Sequence, residues 1–388
     1  MSSLVKFASM TKARAVPALL KHLNEREVLE TIRTRAPISR AEVSRHAGIS
    51  KPTVSLALQS LLQSGLVREA ERGPDGPGYG AVYFEPVPEA ALVLGLDLGA
   101  RFVRGAISDL DGSVRARQDV ELGVADAAGA IDAISRLRAT LLDAAGLDAD
   151  LVDGVVVGVP GVVERDTGVL RLAENVAGLE GRSFVDELQL ALRLPVTLEN
   201  DINLAALGEQ WQGVARGVED FVFLSVGTGM GAGLVLGGEL HRGRHGAAGE
   251  IDFALAGLGL LVDPSAPQVE ELAGGRADAR VVFEVARRGD SSAQKVVEEV
   301  ARRIALHIAP VVAVADVSLV VLGGGIGTNG DLLLGPIGRL LDEWLPYPPR
   351  VEVSTLGEAA VLTGALAVGL AAARDNVFTR RVRQATGA

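Results

Sequence analysis

One arrangement occurs twice in this chain. The segment "ALVLGLDLGARFVRGAISDLDGSVRARQDV" begins at residue 91, and "FVFLSVGTGMGAGLVLGGELHRG" begins at residue 221. In each, an apolar run meets a Gly-containing turn, a second apolar run follows, and another turn leads to a third short run. Alternating apolar runs broken by Gly and Asp-Gly turns are the pattern of consecutive antiparallel strands. The echo points to two similar lobes, each with a sheet and helices. A cleft between two lobes is a natural ligand site.

Glycine turns at strand ends expose backbone N–H groups to phosphates with no Cβ in the way. The candidates are Asp97 and Gly99 in the first turn and Gly227, Thr228 and Gly229 in the second, where Thr228 adds a hydroxyl. Near the end, "VSLVVLGGGIG" reads as a buried strand running into Gly323, Gly324 and Gly325, a surface that could pack against a flat base. Gly supplies 47 of 388 residues, so a single Gly-x-Gly match carries little weight. Three such turns in order, each after an apolar strand, carry more. Between the repeats lies "LENDINLAALGE", residues 198–209, where a strand ends and a helix begins. Asp201 there is a candidate base for taking a proton from a hydroxyl, and a helix N-terminus favours its ionised form. Asn200-Asp201 would equally serve as a plain helix cap.

The 388 residues allow two or three domains, and 48% hydrophobic with 22% charged residues is a globular composition. The chain has no Cys, which excludes disulfides, thiol catalysis and thiolate metal sites and fits a reducing cytosol. No continuous apolar stretch follows Lys6, Lys12 and Arg14, and the longest apolar run, 361–373, is shorter than the roughly 20 residues that span a bilayer. A cytoplasmic location is therefore expected. The net charge of −11 hides an asymmetry: residues 1–88 hold 12 Lys/Arg against 8 Asp/Glu, a balance of +4, and the remainder holds 26 against 41, a balance of −15. A small basic head on an acidic body suits local nucleic-acid contact.

The head has the pattern to match. Val28, Leu29 and Ile32 mark one helical face. Ser39 and Glu42 have capping-box spacing, Ile38 and Val43 that of a hydrophobic staple, and Gly48 supplies a left-handed turn residue. Ser50 then caps a third helix with Pro52 in its first turn and Val54, Leu58, Leu61 and Leu62 at helical spacing. Two short helices joined by Ala-Gly-Ile form a helix-turn-helix, whose second helix enters the major groove by its N-terminal end. Ser50, Lys51, Thr53 and Ser55 lie at that end, and Arg40 and Arg45 would flank phosphates. After Gly65, two short strand patterns surround a Gly/Pro-rich tip, giving a wing with Arg68 and Arg72 on or near it.

The motifs together resemble the ROK family, which groups sugar-responsive repressors with sugar kinases of the actin-like ATPase fold. The resemblance rests on "SRAEV…GISKPTVS", "GLDLGARFVRGAISDLDG", "GVPGVVE", "AEN", "ENDINLAALGE", "VGTGMGAGLVLGGEL", "AAGEI" and "LGGGIG", which occur in family order over nearly the whole chain. It implies an α/β architecture: a winged helix-turn-helix over residues 1–85, and a two-lobed actin-like, ribonuclease H-like body over 86–388. Lobe one would take about 91–199 with the C-terminal helix, and lobe two about 200–370. By the resemblance, sugar hydroxyls would meet Asn175, Asn200, Asp201, Glu250 and Glu270, with Asp201 at the position of the kinase base. Nucleotide contacts would fall to Asp97, Gly99, Gly227, Thr228, Gly229, Gly323 and Gly324.

Two departures matter. Where the family continues with Gly-His and a Cys-rich zinc segment, this chain has Asp252-Phe253 and no Cys, so no zinc site is expected, and Asp252 and Asp263 alone could not rebuild one. Where family kinases have Asp-x-Gly-Gly-Thr, this chain reads Asp97-Leu98-Gly99-Ala100-Arg101, which crowds the turn and removes a hydroxyl, although Arg101 could meet a phosphate. The expectation is a homo-oligomeric repressor that binds a two-fold operator and responds to a sugar or sugar derivative, with no required cofactor. The alternative is an active kinase carrying a DNA-binding head, in which case ATP with Mg would bind. A regulator that answers to a protein partner is a third class.

Overall fold

The computed structural model describes residues 17–71, 81–124, 126–173, 176–255, 257, 262–275 and 277–386. In the head, α1 (Pro17–Arg35), β1 (Ile38–Ser39), α2 (Arg40–Ala47), α3 (Lys51–Gln63), β2 (Val67–Glu69) and β3 (Tyr83–Pro86) follow one another. Their boundaries have local causes. The Ser39 side chain accepts from the Glu42 amide while the Glu42 carboxylate accepts from the Ser39 amide at 3.0 Å, a complete capping box. The Ser39 donors hold the Glu42 carboxyl below its usual range. Gly48 ends α2 at φ 66°, which a residue with a Cβ adopts only at a cost. Ser50 caps α3, with Pro in its first turn. Val28, Ile32, Val43, Val54 and Leu61 are fully buried between the three helices. β1, β3 and β2 form an antiparallel sheet in that order; the tip between β2 and β3 lies outside the described residues.

The body repeats one topology. Its elements are β4 (Leu92–Leu98), β5 (Phe102–Asp109), β6 (Val114–Glu121), α4 (Ala127–Ala145), β7 (Val152–Val159), β8 (Val162–Val163), β9 (Leu170–Arg171), α5 (Phe184–Leu192), β10 (Val196–Asn200) and α6 (Asp201–Gln212). Then come β11 (Phe221–Val226), β12 (Met230–Leu236), β13 (Glu239–Leu240), α7 (Ala266–Leu272), α8 (Ala279–Arg287), α9 (Ser291–Ala315), β14 (Leu319–Gly323), α10 (Gly324–Gly327), α11 (Gly330–Trp344), β15 (Arg350–Val353) and α12 (Ala360–Thr386). The first sheet has the order β10-β7-β4-β5-β6 and the second β13-β12-β11-β14-β15. Each is an antiparallel meander of three strands extended by two parallel strands. The parallel additions need helical crossovers, which α4 and α5 supply in one lobe and α7–α9 and α11 in the other.

Each lobe buries its own core, around Leu94, Leu96, Ile134 and Leu137 in the first and Leu322, Ile304, Leu333 and Ile337 in the second. α6 follows the last strand of lobe one but packs on the sheet of lobe two, where Gly233 faces Ala206. α12 follows the last strand of lobe two and packs on the sheet of lobe one, with Leu366 at Gly95 and Gly369 at Val93. The two helices cross where Gly208 meets the Ala360 carbonyl and Gly364 meets the Leu204 carbonyl; a Cβ at either site would strike backbone. The window of Gly357–Arg381 that is apolar and long enough to cross a membrane is half buried within this fold.

The chain divides into two compact units: the described residues up to Ala90 with those from Arg374 onward, and Ala91–Ala373. The sequence placed the boundary at residue 85 and the whole C-terminal helix with lobe one. The last turns of α12 instead group with the head. Val377 and Phe378 are buried, Arg26 lies 5.9 Å over the Phe378 ring and pairs with Asp375, and Arg381 donates to the Ser64 and Ala90 carbonyls.

Candidate functional site

β10 runs directly into α6, and that junction builds the centre of the cleft. The Asn200 carbonyl oxygen of the side chain accepts from the Asn203 amide at 3.0 Å, so Asn200 is the helix cap, and its side-chain nitrogen donates to the Gly161 carbonyl at 2.9 Å. Asp201 is the first helical residue and accepts from the Ile202 amide at 2.9 Å. Asn200 thus takes the capping role, and the Asp201 carboxyl is left to face the cleft.

The helix dipole does not decide the ionisation of Asp201. Burial, and then the Asp97 carboxylate, push its pKa from 3.8 up to about 7, and the neighbouring amide opposes them only in part. The expected dipole effect, typically a few tenths to 1 kcal/mol, is outweighed by desolvation and like charge. Burial also raises Asp97, against the pull of Arg104. Glu250 is raised by burial and by Asp252.

The cleft encloses about 850 Å³ and is lined by Asp97, Asn200, Asp201 and Glu250. Gly99, Gly227, Thr228, Gly229 and Gly324 line it too. Within that group the backbone donors are partly committed. The Gly99 N–H donates to the Phe102 carbonyl at 3.0 Å and the Gly227 N–H to the Gly229 carbonyl at 2.9 Å. Gly324, at φ 78°, sits where a Cβ would strike the Val226 carbonyl. A Cβ at Gly229 or Gly325 would meet open space, so the backbone there is accessible.

Several expected residues lie elsewhere. Gly323 is absent from the cleft wall; its missing Cβ makes room for the Phe223 ring. Glu270 is absent as well, because its carboxylate turns to the Ala279 amide at the start of α8, 3.4 Å away. Arg101 lies 5.5 Å over its neighbour Phe102 and does not line the cleft. Asn175 lies outside the described residues. Phe253 is 64% exposed and is no part of the wall.

Sequence reasoning missed Arg104. It stands directly opposite Asp97 in the β4–β5 pair and opposite Asp119 in the β5–β6 pair. Its guanidinium lies 3.3 Å from Asp97, 3.5 Å from Asp119 and 3.4 Å from Glu358. The signal was present in the hairpin: pairing the strands across the Gly99–Arg101 turn puts residues 97 and 104 side by side.

The positions that the resemblance assigns to zinc do not fit that ion. They offer Asp252 and Phe253 without any thiolate, and among the described residues no group of three His, Cys, Asp or Glu could hold a metal. The segment is held by hydrogen bonds instead. Arg303 donates to the Asp263 carbonyl at 2.7 Å, Asp263 accepts from the Ser265 amide and hydroxyl, and the Ala266 amide donates to the Gly227 carbonyl at 2.8 Å.

In the head, Arg40, Arg45, Ser50 and Lys51 are exposed and Thr53 and Ser55 partly so. Arg40 donates to the Ser55 hydroxyl at 3.2 Å, and the Ser50 and Thr53 hydroxyls are 2.8 Å apart. Arg68 donates to Glu85 at 2.7 Å across the wing strands, so its charge is matched within the head. Arg72 lies outside the described residues.

Comparison with known proteins accounts for both units. The sequence model of the ROK family matches residues 93–257 and 267–374, and that of a winged helix-turn-helix DNA-binding domain matches 22–68. The chain is 26% identical over 388 residues to the xylose repressor of Caldicellulosiruptor bescii, covering 90% of this chain and 96% of that protein. The structure of a ROK family transcriptional regulator, a homolog of the E. coli MLC protein, superposes with a TM-score of 0.77 at 22% identity over 94% of this chain and 99% of that one. A ROK family glucokinase from Streptomyces griseus, solved with glucose and AMPPNP, has a TM-score of 0.62 at 28% identity over 72% of this chain and 99% of its own.

Proposed function

The chain belongs to the ROK family, and from that premise we propose that it is a DNA-binding transcriptional repressor whose body binds a sugar without phosphorylating it. One observation carries the reading: a winged helix-turn-helix head occurs in the same chain as a cleft lined by Asn200, Asp201 and Glu250. The name of the bescii relative points to xylose or a similar neutral sugar as effector. Asp201 and Glu250 accept hydrogen bonds from sugar hydroxyls when ionised, and Asn200 fixes the helix start that aims Asp201. The protein works as a cytoplasmic homo-oligomer on two-fold DNA, and the sugar shifts DNA affinity because it prefers one of two states of the body.

The loss of kinase activity is supported by Arg104. Phosphoryl transfer needs the β- and γ-phosphate charge neutralised by a metal ion and backbone donors. Asp97, the carboxylate at the phosphate turn, is already paired with the Arg104 guanidinium at 3.3 Å, which competes with a metal ion for that oxygen. On this reading no cofactor is required, and among the described residues no group of three His, Cys, Asp or Glu could hold zinc. The kinase alternative draws on Asp201 and the Gly227-Thr228-Gly229 turn, which line one cleft, and on the burial that raises Asp201 to about 7 and suits it to proton abstraction.

The test is direct. DNA selected from a random pool by the full-length protein is titrated with and without xylose, glucose and their amino derivatives. The proposal expects at least a fivefold change in affinity with one of them and no ADP release when Mg-ATP is added. Indifference of DNA affinity to every sugar, or sugar-dependent ADP release, contradicts it.

A further inference from the structure

Resting on the DNA-binding reading, we propose that Leu56 and Gln59 of α3 are the residues that specify bases, and that they read neighbouring thymine and adenine. The hydroxyls first expected to meet bases are engaged inside the head. Ser50 and Thr53 bond to each other, and Ser55 donates to the Lys51 carbonyl at 2.9 Å while accepting from Arg40. The outer face of α3 is a stripe of exposed residues at helical spacing: Pro52, Leu56, Gln59 and Gln63. It lies opposite the buried stripe of Val54, Leu58 and Leu61. α3 carries no acidic residue, in a chain of net charge −11.

The chemistry of the stripe selects its partner. Leu56 is a large aliphatic side chain left 67% exposed. An aliphatic group gains nothing from phosphates; in the major groove its one apolar counterpart is the thymine methyl. A glutamine amide offers one donor and one acceptor in the geometry of the adenine N6/N7 edge. Leu56 and Gln59 are three residues apart, about 4.5 Å along a helix, close to the roughly 3.4 Å step between base pairs. Both therefore meet the same or adjacent A·T pairs. Lys51, exposed at the start of the same helix, and Arg45, exposed on α2, position the head on phosphates.

The experiment is selection from a random duplex pool with the full chain and with Leu56→Ala, Gln59→Ala and Gln59→Glu, each checked for an unchanged melting temperature. Wild type selects a half-site with adjacent thymine and adenine. Gln59→Ala lowers the adenine preference about tenfold or more, Gln59→Glu moves it to cytosine, and Leu56→Ala weakens the thymine preference about fivefold, each leaving the rest of the motif intact. A wild-type motif that neither position alters overturns the inference while sparing the DNA-binding reading. So does Leu56→Ala or Gln59→Ala changing the oligomeric state in place of base preference, since Leu56 and Gln59 both also border a groove with Leu20. A wild-type chain that selects no motif overturns both.

Discussion

The two lobes present the same hairpin turn to the cleft and furnish it differently. In lobe one the turn after β4 offers Asp97, paired with Arg104 and raised in pKa by burial. In lobe two the turn after β11 offers Gly227-Thr228-Gly229, with open backbone at Gly229 and no charged side chain. Asp201 lies between them and feels the first turn, since Asp97 is the second cause of its raised pKa. One fold element can thus serve as a charge-sealed wall in one copy and a neutral cradle in the other. Asn200, Asp201 and Glu250 line the same cleft from the β10–α6 junction and the segment before Ile251, not from either turn.

The contrast can be broken most severely at Asp201. Asp201→Ala removes the central acceptor, and sugar affinity falls a hundredfold or more while DNA affinity without sugar stays within twofold; calorimetry and DNA titration read the two separately. Equal losses in both would mean that Asp201 supports the fold and not the ligand. The second largest effect is at the sealed turn. Arg104→Met leaves Asp97 buried without its cation and destabilises by roughly 2–4 kcal/mol, as broken buried pairs do. Sugar affinity changes less than threefold, and denaturation at pH 5 shows a smaller loss than at pH 8 because Asp97 then holds a proton more of the time.

A pH series sharpens the comparison further. The Asp201 carboxyl ionises near 3.8 when unfolded and near 7 when folded. Between those values the folded state keeps a proton that the unfolded chain has lost, so this group's contribution to stability falls as pH rises from about 4 to about 7. Asp201→Asn removes that dependence. Its melting temperature exceeds the wild type's by a few degrees at pH 8, and the gap closes towards pH 4. The smallest effect is in the head. Ser39→Ala opens the capping box and costs about 1 kcal/mol, leaving sugar affinity untouched.

How far the molecule was legible followed the range of the interactions. Ser39, Glu42, Gly48 and Ser50 act on neighbours within four residues, and the head's helix boundaries follow from them. The repeated strand–turn–strand pattern gave both meanders, because alternation and Gly turns are also local. Asn200 and Asp201 could be placed at a helix start, but which one caps it needed the backbone geometry. Glu270 was lost to the Ala279 amide and Gly323 to the Phe223 ring, contacts set by tertiary packing that no spacing encodes. Arg104 stood between: hairpin register puts it opposite Asp97, yet its approach to Glu358 spans 254 residues of sequence. Attachment of the last turns of α12 to the head was invisible for the same reason, since Arg381 reaches back to Ala90.

In the proposed function the cleft binds a sugar and does not phosphorylate it. Thermal melting of the purified protein with hexoses, pentoses, amino sugars and their phosphates, each with and without Mg-ATP, tests it most directly, because a ligand of the folded state raises the melting temperature by mass action. A cleft that only binds gives a rise with one unphosphorylated sugar that Mg-ATP leaves unchanged. A rise that appears only when Mg-ATP is present would contradict it.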